Sequence, residues 1–278
     1  MPGPASVTEQ TPLSAVLAQL APEGVHAGRN AERAAEIVRE YATSDVVVFP
    51  ELFITGYEPA IAAETACDPE GPEISTLASS CRETGTAAVI GFAERLDAGA
   101  VANSTAVIDE SGNLAAVYRK THLFGGEIGA FAAGSELCLA RLVGLETGLL
   151  TCFDAEFPEP SRALARAGAE ILVTCSANMD PYGPWHEVAI PARALENRLP
   201  HVYVNRVGEQ GGAVFAGLSM AVDASGKVLA KAGAQEEILD IEIPVGVDTS
   251  GEADYLSQLR EDLPVVKAGE RNKVVSDG

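Results

Sequence analysis

The sequence predicts an α/β fold with mixed sheets, on three observations. Strand-length apolar runs alternate with segments whose apolar residues recur at helical spacing, as in 30–41 followed by 45–49. The runs are apolar without interruption, as strands covered on both faces are. The same order of strand, helix and strand returns in the second half, at 171–175, 185–197 and 201–206. With 278 residues, 47% of them hydrophobic, the chain has enough apolar surface to close such a core without disulfides or metal.

Taken in order, 16–20 is a short apolar strand, 30–41 a helix carrying Ala, Ile and Val among Glu and Arg, and 45–49 the next strand. Helix 74–83 leads to strands 87–92 and 104–108. Asp109-Glu-Ser-Gly-Asn113 then turns the chain into 114–118, because Asp, Gly and Asn accept turn dihedrals. The extended pattern breaks at Arg119-Lys120, and a loop containing Gly125, Gly126, Gly129 and Gly134 follows, of a length that commonly carries function. Strands 139–143 and 148–152 come next, then a turn through Phe157-Pro158 into helix 159–167, with Pro160 in its first turn and Gly168 at its stop. Strand 171–175, helix 185–197, strand 201–206, a glycine loop at 208–212, strand 218–222, a turn at 223–226 and strand 228–230 complete the pattern. No linker interrupts it. One domain is expected over 1–278, with a flexible tail at 1–11, an acidic stretch at 248–254 and a polar tail from about 264.

Charge narrows the partners. Asp and Glu number 40 against 19 Lys and Arg, a formal net charge of -21, which repels a phosphate backbone or an anionic membrane surface and argues against nucleic acid as a partner. The apolar runs fall far short of the roughly 20 residues of a membrane helix. The first residues lack the basic-then-apolar order of a secretion signal, so a cytoplasmic location is expected. Five cysteines at irregular spacing are expected as free thiols, and four histidines with no i, i+4 pair, together with the lack of a CxxC, leave no metal motif. No cofactor is expected.

A cysteine nucleophile requires a group to take its proton and donors for the charge that develops on the substrate carbonyl. Cys152 closes an apolar strand ahead of a sharp turn into a helix, at a sheet edge near backbone N–H groups. Glu51 directly follows Val46-Val-Val-Phe-Pro50, and Lys120 follows the strand 114–118, so a carboxylate and an ammonium stand at other strand ends. Charged residues at strand ends are common in α/β chains, and these three alone fit a solvated surface as well.

The surrounding segments are more specific. Val48-Phe-Pro-Glu-Leu-Phe-Ile-Thr-Gly-Tyr57, Tyr118-Arg-Lys-Thr-His-Leu-Phe124 and Leu150-Thr-Cys-Phe-Asp-Ala-Glu-Phe-Pro-Glu159 closely resemble, in order, the general-base, lysine and nucleophile motifs of the nitrilase superfamily of carbon-nitrogen hydrolases. The resemblance runs from Ala18 to about Arg260. It implies a four-layer α-β-β-α sandwich, typically paired as a homodimer. Carried over position by position, it makes Glu51 the general base and acid, Lys120 the oxyanion stabiliser and Cys152 the nucleophile that forms an acyl-thioester. It makes Glu127 the second glutamate, which orients the substrate amide and holds the lysine, and the backbone N–H of Phe153 a second oxyanion donor. Tyr57, Phe124, Asn178 and Trp185 are candidate pocket walls, with core packing an equal expectation for the aromatics.

The remaining candidates have plainer readings. His122 is expected to make structural hydrogen bonds, and Arg119 and Arg193 are expected to be structural as well. Cys67, Cys81, Cys138 and Cys175 are bystanders, and the loop 208–212 lacks the strand-then-helix setting of a phosphate loop and reads as a hairpin connection. Nitrilases proper usually carry Trp-Glu after the nucleophile, whereas Cys152-Phe153-Asp154 is similar to the amidase branches. The resemblance therefore implies hydrolysis of small carboxamides, and of uncharged ones, since no basic cluster offers a carboxylate clamp. The alternatives are hydrolysis of N-carbamoyl amines or amino acids by the same triad, nitrile hydrolysis, and a non-catalytic interaction domain, which a replaced triad position would favour.

The charge excess also sets the response to salt. Self-repulsion at -21 is the dominant electrostatic cost, and the screening length shortens to roughly 3 Å near 1 M salt. NaCl is therefore expected to raise Tm in a thermal melt, and a Tm that falls steadily with NaCl contradicts this.

Overall fold

Alternation along the central strands decides the layering. In β1 (Leu13–Gln19), Ala15 and Leu17 enter one apolar cluster while Val16 and Ala18 enter another; in β2 (Val46–Val48), Val46 and Val48 part from Val47 in the same way. Both faces are buried, so the strand has no polar side to show. This computed structural model describes residues 11–246, 255–260 and 262–264. The expected tails, and the acidic stretch at 248–254, lie outside the described residues apart from the tails' inner ends.

Two six-stranded sheets result. In the first, β1, β2 and β3 (Ala87–Arg95) are parallel, with β4 (Val101–Ile108) and β5 (Leu114–Arg119) antiparallel at one side and β14 (Glu237–Ile243) antiparallel at the other. In the second, β7 (Leu145–Thr151), β8 (Ile171–Ser176) and β9 (His201–Asn205) are parallel. β6 (Cys138–Leu142) lies at one edge, and β12 (Met220–Val222) and β13 (Val228–Lys231) lie at the other. Leu17, Val48, Val89 and Val107 of one sheet pack against Leu149, Val173, Val202 and Val204 of the other.

Helices cover both outer faces. Ala34, Ile37 and Val38 of α1 (Ala27–Glu40) and Leu77 of α3 (Pro72–Thr84) close the first sheet. Leu164 of α4 (Pro158–Arg166) and Ile190 and Ala194 of α5 (Gly183–Asn197) close the second. The order is α-β-β-α. A short α2 (Ala62–Thr65) lies in the connection after β2. Contacts group the chain into two units: Met1–Asp248 holds both sheets, and Thr249–Gly278 includes a short α6 (Tyr255–Gln258).

The glycine loop at 208–212, read from the sequence as a hairpin connection, is the tip and one strand of a separate hairpin, β10 (Val207–Gln210) with β11 (Ala213–Ala216), turned by Gly211 and Gly212 at positive φ. Strand β14 lies beyond the elements read from the sequence; its Glu and Asp residues interrupt the apolar pattern, and its partner β1 lies more than two hundred residues away and pairs with it along its full length.

One glycine positions the first catalytic candidate. Gly91 of β3 lies so close to the turn after β2 that an added Cβ would stand 2.3 Å from the Leu52 amide nitrogen and 2.6 Å from Glu51 Cα. Leu52 already occupies a left-handed conformation at φ 51°, so the turn has little room to yield. Gly91→Ala is expected to cost about 1–3 kcal/mol of stability and to displace Glu51. Gly28→Ala on α1, where a Cβ meets nothing within 4 Å, is expected to leave Tm and activity in place. Thermal melts and turnover of the two variants check this.

Candidate active site

The polar candidates gather where the parallel strands end. Glu51 follows β2, Lys120 follows β5, Cys152 follows β7, and Asn178 lies just beyond β8, at the carboxyl ends where α/β sheets hold their ligands. Main-chain bonds fix two of them: Glu51 N donates to Ser176 O (3.3 Å), joining the sheets, and Lys120 N donates to Asn103 O (2.8 Å).

Lys120 is buried between two buried carboxylates. Its Nζ donates to Glu51 Oε1 at 2.7 Å and to Glu127 Oε1 at 2.9 Å, and lies 2.8 Å from Glu127 Oε2 as an ion pair. Burial alone would strip the ammonium of its proton, but the charges of Glu51 and Glu127 outweigh it and hold the Lys120 pKa well above the ordinary lysine value. Burial likewise raises the Glu51 pKa, against the pull of Lys120. Asn103 Nδ2 donates to Glu51 Oε1 (2.6 Å) and to Glu127 Oε1 (3.3 Å), the Tyr57 hydroxyl donates to Glu127 Oε1 (3.0 Å), and the Phe124 amide donates to Glu127 Oε2 (2.9 Å). Every oxygen of the two carboxylates then has a donor except Glu51 Oε2, which is buried and unpartnered. A buried carboxylate oxygen without a donor is unusual, and is suited to accept a proton.

Cys152 opens a tight turn in a left-handed conformation, φ 46°. Holding a non-glycine residue there costs energy that the surroundings must supply. Asp154 supplies much of it: the buried carboxylate accepts from Thr151 N (3.0 Å), the Tyr118 hydroxyl (2.8 Å), the Thr121 hydroxyl (2.8 Å) and His122 N and Nδ1 (both 2.8 Å). The Cys152 turn is thereby tied to the segment that carries Lys120. From the other side, Arg193 Nε donates to Ala155 O (3.1 Å) and its Nη2 to Glu156 O (2.9 Å). The thiol pKa is raised, first by burial and then by the Glu51 charge, with Lys120 and the Ser176 hydroxyl opposing. These surroundings favour the protonated thiol. Burial also pushes the Cys67 and Cys81 thiols up to about 12, and all five cysteines are free.

A small cleft opens onto Cys152, Lys120 and Glu127. Of the predicted walls, Tyr57, Phe124 and Asn178 line it, and so does Phe153, which the sequence singled out only for its backbone N–H. Trp185 does not: it is 57% exposed and packs edge-on against Tyr182 at 5.0 Å. Tyr182 stands where Trp185 was expected, because α5 begins at Gly183 and turns the tryptophan outward. Met179, Ala177 and Glu156 complete the wall. Sequence reasoning also missed Asn103, whose signal was a polar residue inside the wholly buried β4, and it quoted Asp154 without a role. Among the described residues, no group of His, Cys, Asp and Glu is gathered to hold a metal ion, and no helix is long and apolar enough to cross a membrane.

The bond between His122 and Asp154 makes stability depend on pH. The hydrogen bond to Asp154 raises the His122 pKa above its ordinary 6.5; at Asp154, burial raises the pKa, but the bonds from His122, Tyr118 and Thr121 and the Lys120 charge together lower it below 3.8. The contribution is full between those two ordinary values. It is lost as pH rises through the elevated His122 pKa and as pH falls through the depressed Asp154 pKa. His122→Gln is therefore expected to lower Tm most at about pH 5.5 and progressively less as pH rises past the elevated His122 pKa. A Tm difference independent of pH contradicts this.

Comparison with known proteins agrees with this geometry. The family model for carbon-nitrogen hydrolases matches residues 15–249. The (R)-stereoselective amidase of a Pseudomonas species is 41% identical over 221 residues, 78% of this chain and 80% of that protein. The 2-oxoglutaramate amidase of Bacillus subtilis is 32% identical, over 82% of this chain and 86% of that protein. Among solved structures, the amidase of Nesterenkonia sp. AN1 superposes with a TM-score of 0.81 at 27% identity, covering 92% of this chain and 97% of its own; one of its variants holds the acetamide moiety of fluoroacetamide at the active-site cysteine, and another is complexed with butyramide. Matching along most of its length and carrying the superfamily's sandwich, this chain belongs to the carbon-nitrogen hydrolases of the nitrilase superfamily.

Proposed function

We propose that the protein is an amidase that hydrolyses small carboxamides to carboxylic acid and ammonia through an acyl-thioester on Cys152. The observation that carries this reading is the unpartnered, buried Oε2 of Glu51, whose charge acts on the Cys152 thiol while Oε1 is held by Lys120 and Asn103. Glu51 takes the Sγ proton as the sulfur attacks the carbonyl carbon. The oxyanion is stabilised by Lys120 Nζ and the Phe153 amide. Glu127, held by Lys120 and Tyr57, orients the substrate NH2. As the C–N bond breaks, Glu51 returns the proton to the nitrogen and ammonia leaves. A water, deprotonated by Glu51, then attacks the thioester; the acid is released and the sulfur regains its proton. Each proton taken is given back, so the cycle closes without a cofactor.

The relatives named as amidases support this choice of bond. The cytoplasmic location and homodimer expected from the sequence belong to the same proposal. Five free thiols support the first. The exposed Trp185 (57%) and Val188 (73%), one turn apart on α5, support the second.

Cys152→Ala is expected to abolish turnover, while Cys67, Cys81, Cys138 and Cys175 changed to Ala retain most of it. Hydroxylamine is expected to divert acyl groups to hydroxamates, and turnover by Cys152→Ala would overturn the mechanism. A nitrile lacks the NH2 that Glu127 accepts from, and leaving such acceptors unpaired costs about 1–3 kcal/mol each. Propionamide is therefore expected to be hydrolysed well ahead of propionitrile, and a higher kcat/KM for the nitrile contradicts the amidase assignment.

A further inference from the structure

We propose that Glu156 directs this cleft toward amides that carry a cationic substituent, such as a primary ammonium two carbons from the carbonyl. The proposal rests on the amidase reading and narrows its substrate class.

Among the described residues that line the cleft, Lys120 is the one cation, and its charge is matched twice over by Glu51 and Glu127. Glu156 is a further carboxylate in the same wall, with 21% of its side chain open. It is not a stray surface group. His186, itself buried, holds Glu156 Oε1 through Nε2 at 3.1 Å and meets the Tyr203 hydroxyl through Nδ1 at 2.9 Å. The Tyr203 hydroxyl in turn accepts from Ser176 Oγ at 3.2 Å. Tyr203 donating to Nδ1 and Nε2–H donating to Glu156 would satisfy each member of the chain, and these bonds fix the orientation of the carboxylate in the wall.

The rest of the wall suits the same ligand. Phe153 meets Phe124 edge-on at 5.3 Å, and Phe124 meets Tyr182 at 5.6 Å, so three aromatic rings border the cleft, and aromatic faces attract cations. The lack of a basic clamp already disfavoured anionic acyl groups. Glu156 adds repulsion of anions and attraction of ammonium, a combination of positive and negative selection at one position.

The test compares kcat/KM for three amides: butanamide, 3-aminopropanamide, in which NH3+ replaces the terminal methyl at equal size, and the anionic succinamate. Wild type is expected to favour 3-aminopropanamide over butanamide by about tenfold and to use succinamate least. In Glu156→Gln the preference for 3-aminopropanamide over butanamide is expected to fall by about tenfold. The change in this ratio is decisive, because the ammonium also activates the carbonyl by induction, equally in both proteins. Should the variant fail to fold, inhibition of wild-type butanamide turnover by propylammonium and by 1-propanol decides, the ammonium being expected to bind about tenfold tighter. A ratio unchanged by Glu156→Gln, equal inhibition by the two probes, or succinamate as the best substrate overturns this inference while leaving the amidase reading intact. No turnover of any of the three amides overturns the amidase reading and this inference with it.

Discussion

A lysine ammonium buried between two carboxylates is the constraint around which the site is built. Removing three charges from water is expensive, and only their mutual attraction, at 2.7–2.9 Å and with Asn103, Tyr57 and the Phe124 amide donating to every carboxylate oxygen but Glu51 Oε2, makes it tolerable. Such a cluster adds little to stability compared with apolar packing. What it provides is a fixed positive charge beside the sulfur and a carboxylate with one free oxygen. Both are set before a substrate arrives, so neither has to reorganise during the reaction.

The fold's contribution is to bring three distant stretches of chain to one point. Parallel strands in each sheet end on the same side, and the bond from Glu51 N to Ser176 O ties the Glu51 turn of one sheet to the other. Two of the left-handed residues, Leu52 at φ 51° and Cys152 at φ 46°, lie at the proposed site. Their strain is held by the packing of Gly91 on one side and by the five donors to Asp154 on the other. Strain concentrated at such positions is a mark of preorganised sites.

Much of this was legible in the sequence, for identifiable reasons. The apolar strands and their helical neighbours follow from local periodicity, and Glu51, Lys120, Cys152 and Glu127 sit in motifs whose resemblance to a family is specific. Strand β14 escaped because edge strands tolerate charge and its partner is at the other end of the chain. Trp185 was misplaced because residue type says what can line a pocket, while the phase of a helix decides what does; α5 turns it outward and leaves Tyr182 at the wall. Asn103, Asp154 and Glu156 act through contacts separated by 24 to 52 residues in sequence, and local patterning carries no record of such pairings.

The stability of charge-neutral replacements measures this cluster most directly. Denaturant unfolding would compare wild type with Lys120→Met alone and with Lys120→Met combined with Glu51→Gln and Glu127→Gln. If buried mutual neutralisation is the governing constraint, the single replacement strands two carboxylates and costs about 3–5 kcal/mol, whereas the triple replacement recovers most of that loss while remaining inactive. A single variant as stable as wild type, or a triple variant no more stable than the single, would contradict it.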